Sequence, residues 1–266
     1  MGKLIERELN LAILNILSNK SLKIAEILFA DKEIKALQEY ANHVSIRRLN
    51  FNDHGPVHMR KVVLNSLVIL DILHQGGILL NLEEEGLGDY EETQIVLLLA
   101  GFLHDLGMSV GRDYHDVVSV MTAKPYINRI LETLYSNDFK KKSIISSFVM
   151  ECILGHMGHY RIHTREAGVI LVADGCDMEM GRARIPTLLD EQANVGDIHQ
   201  FSSSAIESVE ILPGNNRPLL IRVNMLQTVG FFQVEEVLMK KINSSTIKPH
   251  MELLAGVKNK DYRQYL

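Results

Sequence analysis

Cysteine is scarce in this chain, with Cys152 and Cys176 the only two among 266 residues, each set in an apolar stretch. No C-x-x-C spacing exists, so neither a disulfide framework nor a zinc knuckle is indicated, and a reducing cytoplasmic setting is expected. An excess of positive charge is also missing. The formal net charge is −5, so nothing draws the whole molecule to a polyphosphate backbone, and nucleic acid is not the expected partner. The short runs Lys140-Lys141-Lys142 and Lys240-Lys241 read as solvated faces. No segment reaches the ~18 apolar residues that a membrane span needs. The first 17 residues interleave Lys3, Glu6, Arg7 and Glu8 with leucine and isoleucine, which describes an amphipathic helix and not a signal sequence. No membrane association is therefore expected. Neither Gly-x-Ser-x-Gly nor Gly-Lys-Ser/Thr occurs, which removes the usual serine hydrolase and P-loop signatures. Gly86-Leu-Gly88 follows no strand and sits among glutamates, so it reads as an acidic loop.

Ordinary globular composition is present, with 46% hydrophobic and 23% charged residues and no low-complexity tract. Up to about Arg184 the apolar residues recur at helical spacing. The spacing predicts helices over 3–18, 21–29, 31–47, 56–74, 92–106, 113–135, 143–156 and 164–178. Asp31 serves as a cap, Pro56 as a first helical residue, and Gly107 as a stop. After about Gln200 the pattern changes. Residues 206–212 and 218–225 flank the turn Pro213-Gly-Asn-Asn216 and predict a β-hairpin, followed by a helix over 231–243 and a strand over 248–255. We therefore read a mainly α body over 1–200 and a small C-terminal α+β lobe over 201–266, joined by the polar stretch Asn194 to Ser204. The exposed strand edges of such a lobe suggest two uses, a homodimer contact or a cover for a site.

Chemistry concentrates where apolar helices end. The run Ile95 to Leu103 is apolar all round, and it ends in His104-Asp105. Burying an imidazole and a carboxylate without partners is expensive. A hydrogen-bonded helix cap resolves that cost for a lone pair, and so does a cation that both groups can ligate. The same pattern recurs: residues 167–173 lead into Asp174, and Ile153-Leu-Gly leads into His156. Three buried helices ending in ligand-type residues favour the cation. His58 joins them from the first turn of the helix that Pro56 begins, whereas His54 precedes that proline and cannot pair with it at helical spacing.

The order His58, His104-Asp105, Asp174 resembles the H…HD…D signature of the HD-domain metal-dependent phosphohydrolase superfamily. Asn52-Asp-His-Gly-Pro-Val-His58 is similar to that family's first-histidine helix, and residues 172–186 resemble its last-aspartate segment, so the likeness spans roughly 30–190. The resemblance implies an HD-type helical bundle holding one or two divalent ions (Mn, Fe, Co, Ni, Zn or Mg). It implies that His58, His104, Asp105 and Asp174 hold the first ion, and that Asp105 bridges to a second held by His115 and His156, with His159 and His163 as competitors for those two roles. It further implies hydrolysis of a phosphate ester of a small metabolite or nucleotide, as a mono- or diesterase, by metal-activated water. Arg182 and Arg184 are then the candidates for the outer phosphate oxygens, with Arg60, Lys61 and Arg112 behind them. His54 and Asp53 are candidates for proton donation or support, and Asp177 for orienting a ligating histidine. Two other functions share the ligand set: a di-iron oxygenase of the same fold, and a non-catalytic sensor with a metal-filled pocket.

Overall fold

The computed structural model describes residues 2–49, 51–179, 202–258 and 260–266. Arg182, Arg184 and most of the stretch read as a joint lie outside the described residues.

Helices dominate. In chain order they are α1 (Gly2–Leu14), α2 (Asn19–Ala30), α3 (Lys32–His43), α4 (Pro56–Gln75), the single turn α5 (Asn81–Glu84), α6 (Tyr90–Leu103), α7 (His115–Tyr135), α8 (Phe139–Gly155) and α9 (Arg165–Cys176). Their starts carry the expected chemistry. Asp31 accepts from the amides of Glu33 and Ile34, and Asp89 accepts from Glu92 while the Glu92 carboxylate takes the Asp89 amide in return. Pro56 opens α4, where a missing N–H costs nothing. The predicted helices lie near the observed ones, with differences at their ends. The stretch 31–47 is not one α-helix, because α3 gives way to a π turn at Val44–Arg48. The acidic loop around Gly86-Leu-Gly88 follows the single turn α5, which the sequence reading did not place and whose Asn81 and Leu82 amides are held by the buried Glu166 carboxylate.

The expected hairpin forms as β1 (Ile206–Pro213) and β2 (Leu219–Met225), antiparallel, with Val209 opposite Val223. A helical segment over 231–244, here α10, follows. It comprises Phe231–Gln233, a π turn at Val234–Leu238 and Met239–Ser244. It returns the chain to β3 (Met251–Val257), which lies parallel to β2 with Leu253 opposite Ile221. A two-residue strand, β4 (Arg263–Gln264), completes the sheet order β1-β2-β3-β4 and was not expected from the sequence. Among the described residues, no helix is long and apolar enough to cross a membrane.

One hydrophobic core runs from Ile13 of α1 through α4, α6, α8 and α9 to Ile206, Ile221 and Leu253 of the sheet. Helix α6 is its axis, buried from Glu92 to Leu103. A helix surrounded on every side can present polar chemistry only at its ends. The sheet and α10 share this core with the helices, which sets α10 against α9 beside the end of α6.

Candidate metal centre

Three helix ends and two helix starts converge. His104 and Asp105 follow α6, His156 follows α8, Asp174 lies in the last turn of α9, and His58 and His115 sit in the first turns of α4 and α7. All six residues are buried, none more than 6% exposed. Helix C-termini leave carbonyls without intrahelical partners. His104 uses one, its Nδ1 donating to the carbonyl of Gly101 at 2.9 Å, and His156 does the same to Ile153 at 2.6 Å. His115 repeats the i−3 pattern ahead of α7, with its Nδ1 2.8 Å from the Arg112 carbonyl. A carbonyl only accepts, so each Nδ1 carries the proton, and a neutral ring then presents a bare lone pair at Nε2. Burial also favours the neutral form. It pushes His156 down to about 4, outweighing the opposite pull of Asp105.

Those lone pairs point at one another. His115 Nε2 and His156 Nε2 are 3.1 Å apart, and His58 Nε2 and His104 Nε2 are 3.2 Å apart. The Nδ1 of His58 faces the Asp177 carboxylate at 2.7 Å, so its proton is placed away from the centre as well. Two lone pairs at this separation repel unless a cation lies between them.

Asp105 stands in the middle. Its Oδ2 is 3.3 Å from both His58 Nε2 and His104 Nε2, and its Oδ1 is 3.4 Å from His115 Nε2 and 3.3 Å from His156 Nε2. Asp174 Oδ1 lies 3.3 Å from His58 Nε2 on the first side. Donors bound at about 2.1 Å to one ion sit roughly 3.0–3.4 Å apart, so these separations and this mix of imidazole and carboxylate fit a divalent ion. Two subsets, His58–His104–Asp174 and His104–Asp105–His156, each bring their donor atoms within 4.8 Å. Burial alone would raise the Asp105 carboxyl, but the imidazoles packed around it, His104 first and then His115 and His156, outweigh burial and hold it well below the usual carboxylate range. For Asp174 the same burial is overcome chiefly by Lys241 and then by His58.

Gly107 makes the arrangement close enough. A Cβ there would lie 2.1 Å from the His115 carbonyl oxygen and 2.6 Å from the Ser119 amide, while the Gly107 amide donates to Ser119 Oγ at 2.8 Å. Without a side chain, the turn after Asp105 lies flat on the start of α7 and brings His115 to the carboxylate. The sequence had offered Gly107 only as a stop signal.

The remaining expected residues separate. Asp177 bonds His58 through one oxygen and faces Lys61 through the other at 3.1 Å, so Lys61 braces a support and is not spare for a ligand. Arg60 turns away: it bonds Asn10 and the Pro56 carbonyl and lies over the Phe102 ring, tying α1 to α4. His54 lies beside the site, its Nδ1 bonded within 2.9 Å to Ser45 Oγ and the Asn52 carbonyl, and Asp53 accepts from the Gly55 amide. Arg112 stacks on Phe51 at the rim. His159 is 67% exposed and lies 3.6 Å from Asp116, and among the described residues neither it nor His163 belongs to a group of side chains close enough to hold an ion.

Lys241, read from the sequence as part of a solvated face, is in the site. Its ammonium bonds Asp174 Oδ2 and donates to the His156 carbonyl at 2.9 Å. A signal existed: Lys241 lies three residues after Leu238 and one before Ile242, on the buried stripe of α10. A cavity of about 770 Å³ opens from Asp105, His156 and Asp174 outward. Phe51 and Arg112 line one part of it, and Gln233 and Lys241 of α10 another. Both cysteines are buried, and burial pushes both thiols up, so neither offers a thiolate.

No family model and no solved structure matches the chain. A protein of Methanocaldococcus jannaschii, uncharacterized protein MJ1020, is 35% identical over 251 residues, covering 94% of this chain and 95% of that protein. Identity at this level along nearly the whole length of both chains places the two in one family, to which the present chain belongs.

Proposed function

We propose that this chain is a metal-dependent phosphohydrolase of the HD type, acting on the phosphate ester of a small metabolite or nucleotide. The observation that carries the reading is the division of Asp105. One oxygen faces His58 and His104, the other faces His115 and His156, and both imidazole pairs turn unprotonated nitrogens toward it. A carboxylate so placed suits a bridge between two divalent ions, with Asp174 completing the first set. Bound there, such ions would supply hydroxide at neutral pH and charge neutralisation for the phosphoryl oxygens.

The protein's own residues do the rest. The backbone carbonyls of Gly101, Arg112 and Ile153 and the Asp177 carboxylate hold the four rings in one tautomer and orientation. The donor residues are themselves buried, which strengthens every charge interaction among them. The cavity accommodates a small molecule, with the donors at its buried end and Phe51 and Arg112 at its rim. Arg182 and Arg184 remain candidates for outer phosphate contacts.

The test is a metal assay of the purified protein, followed by a panel of phosphomonoesters and phosphodiesters with Mn, Fe, Co, Ni, Zn and Mg, with Asp105→Ala as control. The expected outcome is turnover that disappears with the variant. An Asp105→Ala protein that binds as much metal as wild type would remove the proposed site. Absence of turnover together with oxygen-dependent spectral change of bound iron would replace hydrolysis by oxygenase chemistry.

A further inference from the structure

Lys241 comes from the second half of the chain, yet its side chain is only 13% exposed and ends among the donor residues. Its stem crosses the backbone at Gly175, where an added Cβ would come within 3.1 Å of its Cδ, so the absence of a side chain there lets α10 bring the ammonium in. An ammonium has three N–H donors. One goes to Asp174 Oδ2 and one to the His156 carbonyl, and both acceptors belong to the ends of helices that carry ligand candidates. Among the described residues the third has no acceptor, and Lys241 lines the cavity that opens from Asp105 and Asp174. Its neighbour Lys240 differs in kind, being exposed and held by Glu236 at 2.6 Å.

We propose that Lys241 is a substrate-binding residue whose remaining N–H takes a non-bridging oxygen of the substrate phosphate, so that α10 completes the substrate site. This rests on the phosphohydrolase reading above. The role suits a lysine: a compact point charge, held by two fixed acceptors, contributes attraction for an anion without needing the bidentate geometry of arginine.

The experiment uses Mn-loaded full-length protein and inorganic phosphate as probe, titrated calorimetrically into wild type, Lys241→Met, Lys241→Gln and Lys241→Arg, with Mn content and thermal melting measured on each. Lys241→Gln keeps a donor for the His156 carbonyl and so guards against a variant that simply fails to fold. The expected result is Mn content near wild type in the Gln and Met variants with phosphate affinity weakened about tenfold or more, as befits loss of a charge-assisted hydrogen bond, and partial recovery in Lys241→Arg. Phosphate affinity within twofold of wild type in folded, Mn-loaded Lys241→Gln overturns the proposal and leaves the phosphohydrolase reading standing. Loss of Mn with unchanged phosphate affinity in the loaded fraction also overturns it, reducing Lys241 to a positioning residue for Asp174. Wild type that holds Mn and binds no phosphate overturns both.

Discussion

Replacing Gly107 by alanine probes how tightly the centre is assembled. The new methyl would sit 2.1 Å from the His115 carbonyl oxygen and 2.6 Å from the Ser119 amide nitrogen. Both are backbone atoms of α7, so no side chain can swing aside. Relief requires the first turn of α7 to retreat by roughly 1 Å to restore ordinary contact, which is overpacking of the kind that costs about 3 kcal/mol. In a chain of this length that predicts a melting temperature lower by roughly 6–12 °C. The same retreat carries His115 Nε2 away from Asp105 Oδ1, now 3.4 Å distant, so metal content should fall together with stability. Gly111→Ala is the control, since nothing lies within 4 Å of an added Cβ there, and its effect should stay within about 0.5 kcal/mol. Thermal melting by circular dichroism and metal analysis on the three proteins read both consequences. A Gly107→Ala protein that melts within about 2 °C of wild type with full metal content refutes the argument.

Two further predictions concern buried carboxylates, one beside the centre and one at the far end of α9. Asp177→Asn removes the charge that holds the His58 ring and should weaken metal affinity about 10- to 100-fold, measured by competition with a chelating dye, while leaving the fold intact; unchanged affinity would show that His58 needs no such support. Glu166, buried against the amides of Asn81 and Leu82, has its carboxyl pushed by burial from 4.5 up to about 7. Between those values the folded state holds a proton that the unfolded state has released. Its contribution is therefore full below about pH 4.5 and is lost as pH rises toward 7, by an amount on the order of 3 kcal/mol. Urea melts of wild type and Glu166→Gln across that window should diverge accordingly, and parallel curves would exclude the shift.

The sequence made much of this molecule legible where the signal is local. The apolar period located the helices, the hairpin turn at 213–216 located β1 and β2, and three apolar runs ending in His104-Asp105, His156 and Asp174 pointed to one buried polar centre. What it could not convey depends on contacts between distant segments. Lys241 meets Asp174 across 67 positions, and the sequence neighbourhood of Lys240-Lys241 looks like any charged surface. Arg60, two residues from His58, looked available for phosphate until Asn10 and Phe102 were seen to hold it on the far side of α4. The flat approach of Gly107 to His115 depends on how α6 and α7 meet, and a glycine after a helix gives no hint of it. Strand β4 is too short to carry a period.

The tethers on His104, His115 and His156 have a consequence for how the centre tolerates change. Each ring is fixed by a carbonyl three residues earlier in its own chain segment, and that acceptor is main chain. The side chains at positions 112 and 153 can therefore vary without touching the acceptor that orients the imidazole. The rings also need no distant partner to find their angle, because the turn that presents each one sets it. An ion arriving at the folded protein meets donors already aimed, with little rotameric freedom left to lose, so binding favours affinity through order established during folding.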